Sequence, residues 1–213
     1  MQGLDQSRWQ ALMTRIGARD AGGQVFKDLE SAYGERHRYY HNHTHLRGCF
    51  KLFDAVRGHF QRPDEGELAL WFHDAIYRTR STLNEAESAA WARRFLEEES
   101  INQASAERVA QMILSTRHDQ PAPTPDAALV CDIDLAVLGV PPDVYDDFEH
   151  RVRREYWWVP EPTFVAKRQA ILERFLSADS IYQTDLLREL LEPAARANLT
   201  RWCGILGRRR SAG

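Results

Sequence analysis

The chain reads as an all-α protein, a bundle of about nine or ten helices. Three observations predict this. Apolar residues recur at helical spacing, as in Trp9, Leu12, Met13 and Ile16, and again in Leu46, Cys49, Phe50, Phe53 and Val56. No stretch alternates apolar and polar residues long enough to make a half-buried strand. Start and stop signals fall between the periodic stretches: Asn84 with Glu87 has the capping-box pattern, Ser105 is placed to cap a helix, and Gly139 with Pro141 and Pro142 ends one.

The elements follow in order. The Trp9 stripe sets a helix near 5–18, and a second follows near 24–33. The polar loop from Gly34 to His43 leads into a helix near 42–60, carried by the stripe that starts at Leu46. The apolar segment Leu68 to Tyr77 places the next near 65–77. The caps at Asn84 and Ser105 open helices near 85–100 and 105–117. Three prolines between Asp119 and Pro125 forbid continued helix there, and the run from Leu129 to Leu138 makes a helix near 125–138. Further helices lie near 142–157, 161–178 and 184–206, the last broken or kinked at Pro193.

With 213 residues, the chain can bury roughly 70% of the surface its unfolded form exposes, so one core needs no staple. The expectation is a single domain, with a chemistry-bearing core at about 40–140 and C-terminal helices at about 142–206. A formal charge of −3 supplies no broad basic face, which argues against nucleic acid and for a small substrate. Cys49, Cys131 and Cys203 are odd in number and form no CxxC pair, so they read as reduced thiols in a cytoplasmic setting, filling core space. Asp5 and Arg8 stand where an export signal needs apolar residues, and no apolar stretch reaches a membrane span of about 18 residues. Arg208, Arg209 and Arg210 read as a solvated tail.

Chemistry concentrates in three places. His73 and Asp74 sit together in the apolar segment, where a carboxylate beside an imidazole needs a partner charge, a hydrogen-bond network or a metal ion. The pair is either a buried hydrogen bond joining two helices or two ligands of one ion. Upstream, Tyr40-His41-Asn42-His43-Thr44-His45 opens a helix and puts His45 at the edge of the core. Downstream, Asp132 and Asp134 lie in an otherwise apolar helix, and residues two apart diverge by about 200°, so they cannot both face one ion.

In order, His45, His73-Asp74 and Asp132 form the pattern H, HD, D, and with it the chain resembles the HD-domain superfamily of metal-dependent phosphohydrolases. Further stretches resemble one bacterial subfamily of predicted HD phosphohydrolases: Ala69 to Tyr77, Asn84-Glu85 with Ser88-Ala89, Ile113-Leu114 with Thr116 and His118, and Asp132-Ile133-Asp134-Leu135 with Leu138-Gly139. The likeness continues in Arg154-Glu155-Tyr156, Phe175-Leu176 and Ile181-Tyr182, and so spans roughly residues 30–200.

The resemblance implies an HD-like helical bundle and one divalent ion on His45, His73, Asp74 and Asp132, with Asp134 as the alternative last ligand. Mn, Fe, Co, Ni, Zn and Mg all suit such a nitrogen and oxygen set. It implies cleavage of a nucleotide or other small phosphate ester by metal-activated water. Ala75, Ile76 and Tyr77 stand where some nucleotidases of the superfamily carry a catalytic Glu. Glu85 is therefore a candidate acid or base, against a role confined to the helix start. His118 is a candidate fifth ligand, phosphate contact or general acid, against a helix-end histidine favoured by the dipole. His41, Arg154 and Arg168 are candidate substrate contacts, the arginines through paired guanidinium donors. Two other classes stay in view: a di-iron oxygenase, for which His118 is the one well-placed extra ligand, and a non-catalytic module that retains a metal and binds nucleotide. The Tyr156-Trp157-Trp158 cluster reads as packing, and apolar residues near Trp157 or in the C-terminal helix are candidates for a homodimer face.

Overall fold

The structure is a computed structural model and describes residues 3–20 and 23–211. Among the described residues every regular element is helical, as the periodicity predicts. None of these helices is long and apolar enough to cross a membrane. The chain divides into two compact units, Met1–Asp134 and Leu135–Gly213. The boundary falls near the one drawn from the sequence between the chemistry-bearing core and the C-terminal helices.

The first unit holds α1 (Gln6–Ile16), α2 (Gln24–Tyr33), α3 (His43–Val56), α4 (Pro63–Phe72), α5 (Asn84–Glu98), α6 (Gln103–Ser115) and α7 (Pro125–Asp134). Its axis is α4, in which every residue from Gly66 to Phe72 is buried. A helix buried on all faces over this length must be surrounded, and α1, α3, α5, α6 and α7 all pack on this one. Aromatic rings fill the space between them. Trp71 meets Trp9 edge-on at 5.2 Å between centroids and Phe50 at 4.7 Å, while Phe72 stacks on Phe95 at 5.9 Å. Glu67, the one charged residue buried within α4, is held by Arg8, Arg15 and Arg57 at 2.6–2.8 Å.

Local signals were partly overruled. Helix α4 ends at Phe72, so His73 and Asp74 form its exit and not its middle. Asn84 does not cap α5; its side chain accepts from the Arg78 amide and donates to the Arg78 carbonyl, clamping the preceding loop. Asn102, and not Ser105, caps α6, accepting from the Ser105 amide at 2.9 Å.

The second unit holds a 3-10 turn (Leu135–Gly139), α8 (Pro142–Glu155), α9 (Glu161–Ser177) and α10 (Asp185–Ser211). Helix α10 continues through Pro193, whose missing amide and ring clash cost about 3 kcal/mol. Contacts on both sides of the proline offset this. Glu192 accepts the Ile181 amide, and Arg196 donates to the carbonyls of Leu176 and Ala178. The segment 208–210 is the last turn of this helix and not a loose tail.

Two glycines separate packing from propensity. A Cβ on Gly66 would lie 2.5 Å from the buried Phe60 ring, whereas one on Gly48, exposed in α3, would meet nothing within 4 Å. In urea denaturation Gly66→Ala should lose about 1–3 kcal/mol of stability. Gly48→Ala should gain about 0.5–1 kcal/mol.

Candidate metal centre

Four polar side chains from three separated stretches meet at the exit of α4. The first is His45, placed in the opening turn of α3 by Asn42. The Asn42 side chain accepts from the Thr44 amide at 2.8 Å and donates to the Tyr39 carbonyl at 2.9 Å, which fixes where the helix begins. His45 then stands one turn before Cys49 and is buried.

The second and third are His73 and Asp74. His73 Nδ1 lies 2.8 Å from the Leu70 carbonyl. A carbonyl only accepts, so Nδ1 carries the proton, and neutral His73 presents a bare lone pair at Nε2. The doublet is fixed from behind by main-chain contacts. The Asp74 amide donates to the Tyr33 hydroxyl, whose own proton goes to the Trp71 carbonyl. The buried Arg38 guanidinium donates to the carbonyls of Asp74 and Ala75, and Ser88 accepts the Ile76 amide. These bonds satisfy the polar groups that the end of α4 exposes.

The fourth is Asp134, the last residue of α7, and not Asp132. Asp134 Oδ1 lies 3.1 Å from His45 Nε2 and 3.5 Å from His73 Nε2. Asp132 is fully buried on another face of the helix, as the rotation of about 200° between the two requires. Asp74 Oδ2 lies 3.5 Å from His45 Nε2 and 3.2 Å from His73 Nε2, and the two ring nitrogens are 3.0 Å apart.

These separations are those of a ligand shell. Nitrogen and oxygen donors about 2.0–2.2 Å from one ion stand roughly 2.9–3.6 Å from each other. Asp74 Oδ2 is buried and accepts no hydrogen bond, although two imidazoles lie beside it. Two carboxylates this close to two imidazoles call for compensating positive charge, from protons or an ion, and the group His45, Cys49, His73 and Asp134 could hold a metal ion. The cysteine, taken from the sequence as core filling, is the member that sequence reasoning missed; its position four residues after His45 was the available signal.

Charge responds accordingly. Burial disfavours an imidazolium at His73, yet the charge of Asp74 and hydrogen bonding to Asp134 outweigh it and hold the group well above its ordinary value. Burial likewise opposes ionised Asp134, but hydrogen bonds from His118, His45 and His73 carry it well below the carboxylate range. Asp74 is also lowered, against its burial, by the charges of His73 and His41. Burial, then Asp134 and Asp74, push the Cys49 thiol well up.

His118 joins the group from the loop after α6. Its Nε2 donates to Asp134 Oδ2 at 2.8 Å, its Nδ1 is buried with no partner, and its backbone is left-handed at φ 53°. Strain of this kind persists where the surroundings determine the position of a side chain. His41 stacks on Tyr77 at 4.1 Å, with Tyr40 packed against both His41 and His45 at 4.8 Å. Glu85 lies half-exposed in the first turn of α5, and no hydrogen bond ties it to this cluster.

Arg154 and Arg168 belong to the second unit. Arg154 is exposed on α8. The paired donors of Arg168 are already engaged by Glu149, at 2.9 and 2.8 Å, and Glu149 also accepts from Tyr145. This makes Arg168 a structural partner.

Comparison with family models, with curated proteins and with solved structures finds no match for this chain.

The pKa shifts give a pH dependence. His73 is raised above 6.5, so in chelator-treated protein its contribution to stability is whole below that value and falls as pH rises through the folded pKa. Asp134 is lowered below 3.8, so its contribution is whole above that value and is lost as pH falls through the folded pKa. Thermal unfolding of wild type against His73→Ala should therefore show the largest difference between 3.8 and 6.5, shrinking on both sides.

Proposed function

We propose that this chain is a metal-dependent phosphohydrolase of the HD type, cleaving a nucleotide or other small phosphate ester at one divalent ion held by His45, His73, Asp74 and Asp134. One observation carries the reading: the Nε2 atoms of His45 and His73 lie 3.0 Å apart and each stands 3.1–3.5 Å from an oxygen of Asp74 and of Asp134, the Asp74 oxygen being buried with no hydrogen bond. The resemblance of the same residues to the HD pattern supports it, with the last position moved from Asp132 to Asp134. A divalent ion bound there lowers the pKa of a coordinated water from about 15.7 toward about 7 and polarises a phosphoryl oxygen.

The remaining work falls to side chains. His73 is held in its ligating tautomer by the Leu70 carbonyl, and Asp134 is oriented by His118 through its second oxygen. His118, joined through Nε2 to that carboxylate, is closer to the cluster than Glu85 and is the candidate for proton relay there, by way of Asp134. His41, stacked on Tyr77 beside the cluster, is the candidate contact for the substrate phosphate. Because the Nε2 of His118 is engaged by Asp134 and its Nδ1 is buried, the arrangement favours one ion over a di-iron pair.

Elemental analysis should find about one ion per chain after loading with Mn, Fe, Co, Ni, Zn or Mg, and phosphate should be released from a panel of nucleotides and esters only with an ion present. Intact substrates with every ion bound would overturn the assignment, and two irons with oxygen-dependent turnover would replace it. Asp134→Asn should weaken ion binding by at least about 100-fold and Asp132→Asn should leave it within a few-fold. His118→Gln should cost on the order of 10–100-fold in affinity or turnover.

A further inference from the structure

Cys49 is the one polarisable donor of the cluster. It follows His45 by four residues on α3, so both side chains rise from the same helix face. Its sulfur lies 3.7 Å from His45 Nε2, the ring nitrogen that also faces His73 and Asp134. The donor atoms of His45, Cys49, His73 and Asp134 all lie within 4.8 Å of one another. A metal about 2.3 Å from sulfur and about 2.0–2.1 Å from nitrogen sets the two donors roughly 3.1–3.6 Å apart, so a small side-chain adjustment closes the remaining gap. The cysteine is not isolated, because the Asp74 oxygen that is buried without a hydrogen bond lies 3.5 Å from the same His45 Nε2 that the sulfur faces.

We infer that Cys49 is a ligand of the ion, making this a nitrogen, oxygen and sulfur site that takes borderline and soft metals such as zinc, cobalt, iron and cadmium in preference to magnesium. The inference rests on the proposed metal centre but goes beyond it, since the HD pattern supplies histidines and carboxylates only. On binding, the S–H bond breaks as the sulfur–metal bond forms, and the proton leaves to solvent. Thiolate ligation selects by softness, whereas His and Asp alone admit magnesium as well.

The test uses cobalt(II) as its own reporter. Wild type loaded with cobalt should show the near-ultraviolet sulfur-to-cobalt charge-transfer band, and C49S should lose that band. Cys131→Ser and Cys203→Ser should keep it. Zinc affinity should fall at least about 10-fold in C49S while magnesium affinity stays the same. Should C49S fail to fold, X-ray absorption of cobalt-loaded wild type decides, with a sulfur neighbour at about 2.3 Å expected. Cobalt bound without a sulfur signature, or a band that survives in C49S, overturns the role of Cys49 and leaves the proposed function standing. No cobalt uptake by wild type overturns both.

Discussion

The structure of the first unit turns on a helix that has no solvent face. Helix α4 is buried from Gly66 to Phe72, and its chain leaves the interior through His73 and Asp74. A helix end leaves carbonyls without partners, and a buried one must find them elsewhere. Arg38, Tyr33 and Ser88 supply the bonds around the exit, from three parts of the chain. Close packing of Trp9, Phe50 and Phe95 around α4 then leaves the doublet little freedom.

The same burial sets the electrostatics. In a region of low polarisability, two carboxylates facing two imidazoles cannot stay uncompensated. Protons and metal ions compete for the same lone pairs, and the carboxylates of Asp74 and Asp134, which hold His73 above its ordinary pKa against its burial, favour either. Asp134 links this demand outward, one oxygen toward the histidine pair and the other toward His118. The end of α7 and the loop after α6 are thereby coupled to the centre, and the left-handed backbone at His118 is the local cost of that reach.

Where local signals misled, a longer-range contact outweighed a capping preference or a propensity. Asn84 had the pattern of a cap, but its side chain bonds the main chain of Arg78 instead. Apolar residues from Leu68 to Tyr77 implied one helix through the doublet, yet hydrogen bonds to Arg38 and Ser88 drew the chain away after Phe72. Of the break or kink expected at Pro193, the break is absent: α10 continues through it, and bonds made by Glu192 and Arg196 hold the helix on either side.

By itself the sequence determined the all-helical class and the order of the helices, and it drew attention to the histidines and carboxylates that the fold brings together. Helical periodicity and an acid beside an imidazole in an apolar segment are written within short windows of the chain. Which carboxylate completes the cluster was not written there. Asp132 and Asp134 have the same chemistry and the same apolar neighbours, and only the rotational phase of α7 against α3 and α4 brings Asp134 to His45 and buries Asp132 elsewhere. The guanidinium of Arg38 likewise took its place from packing, because it meets the main chain of Asp74 and Ala75 across a distance in sequence that no local period encodes, whereas Cys49 stands one helical turn after His45 and only the burial of that turn brings its thiol to the centre.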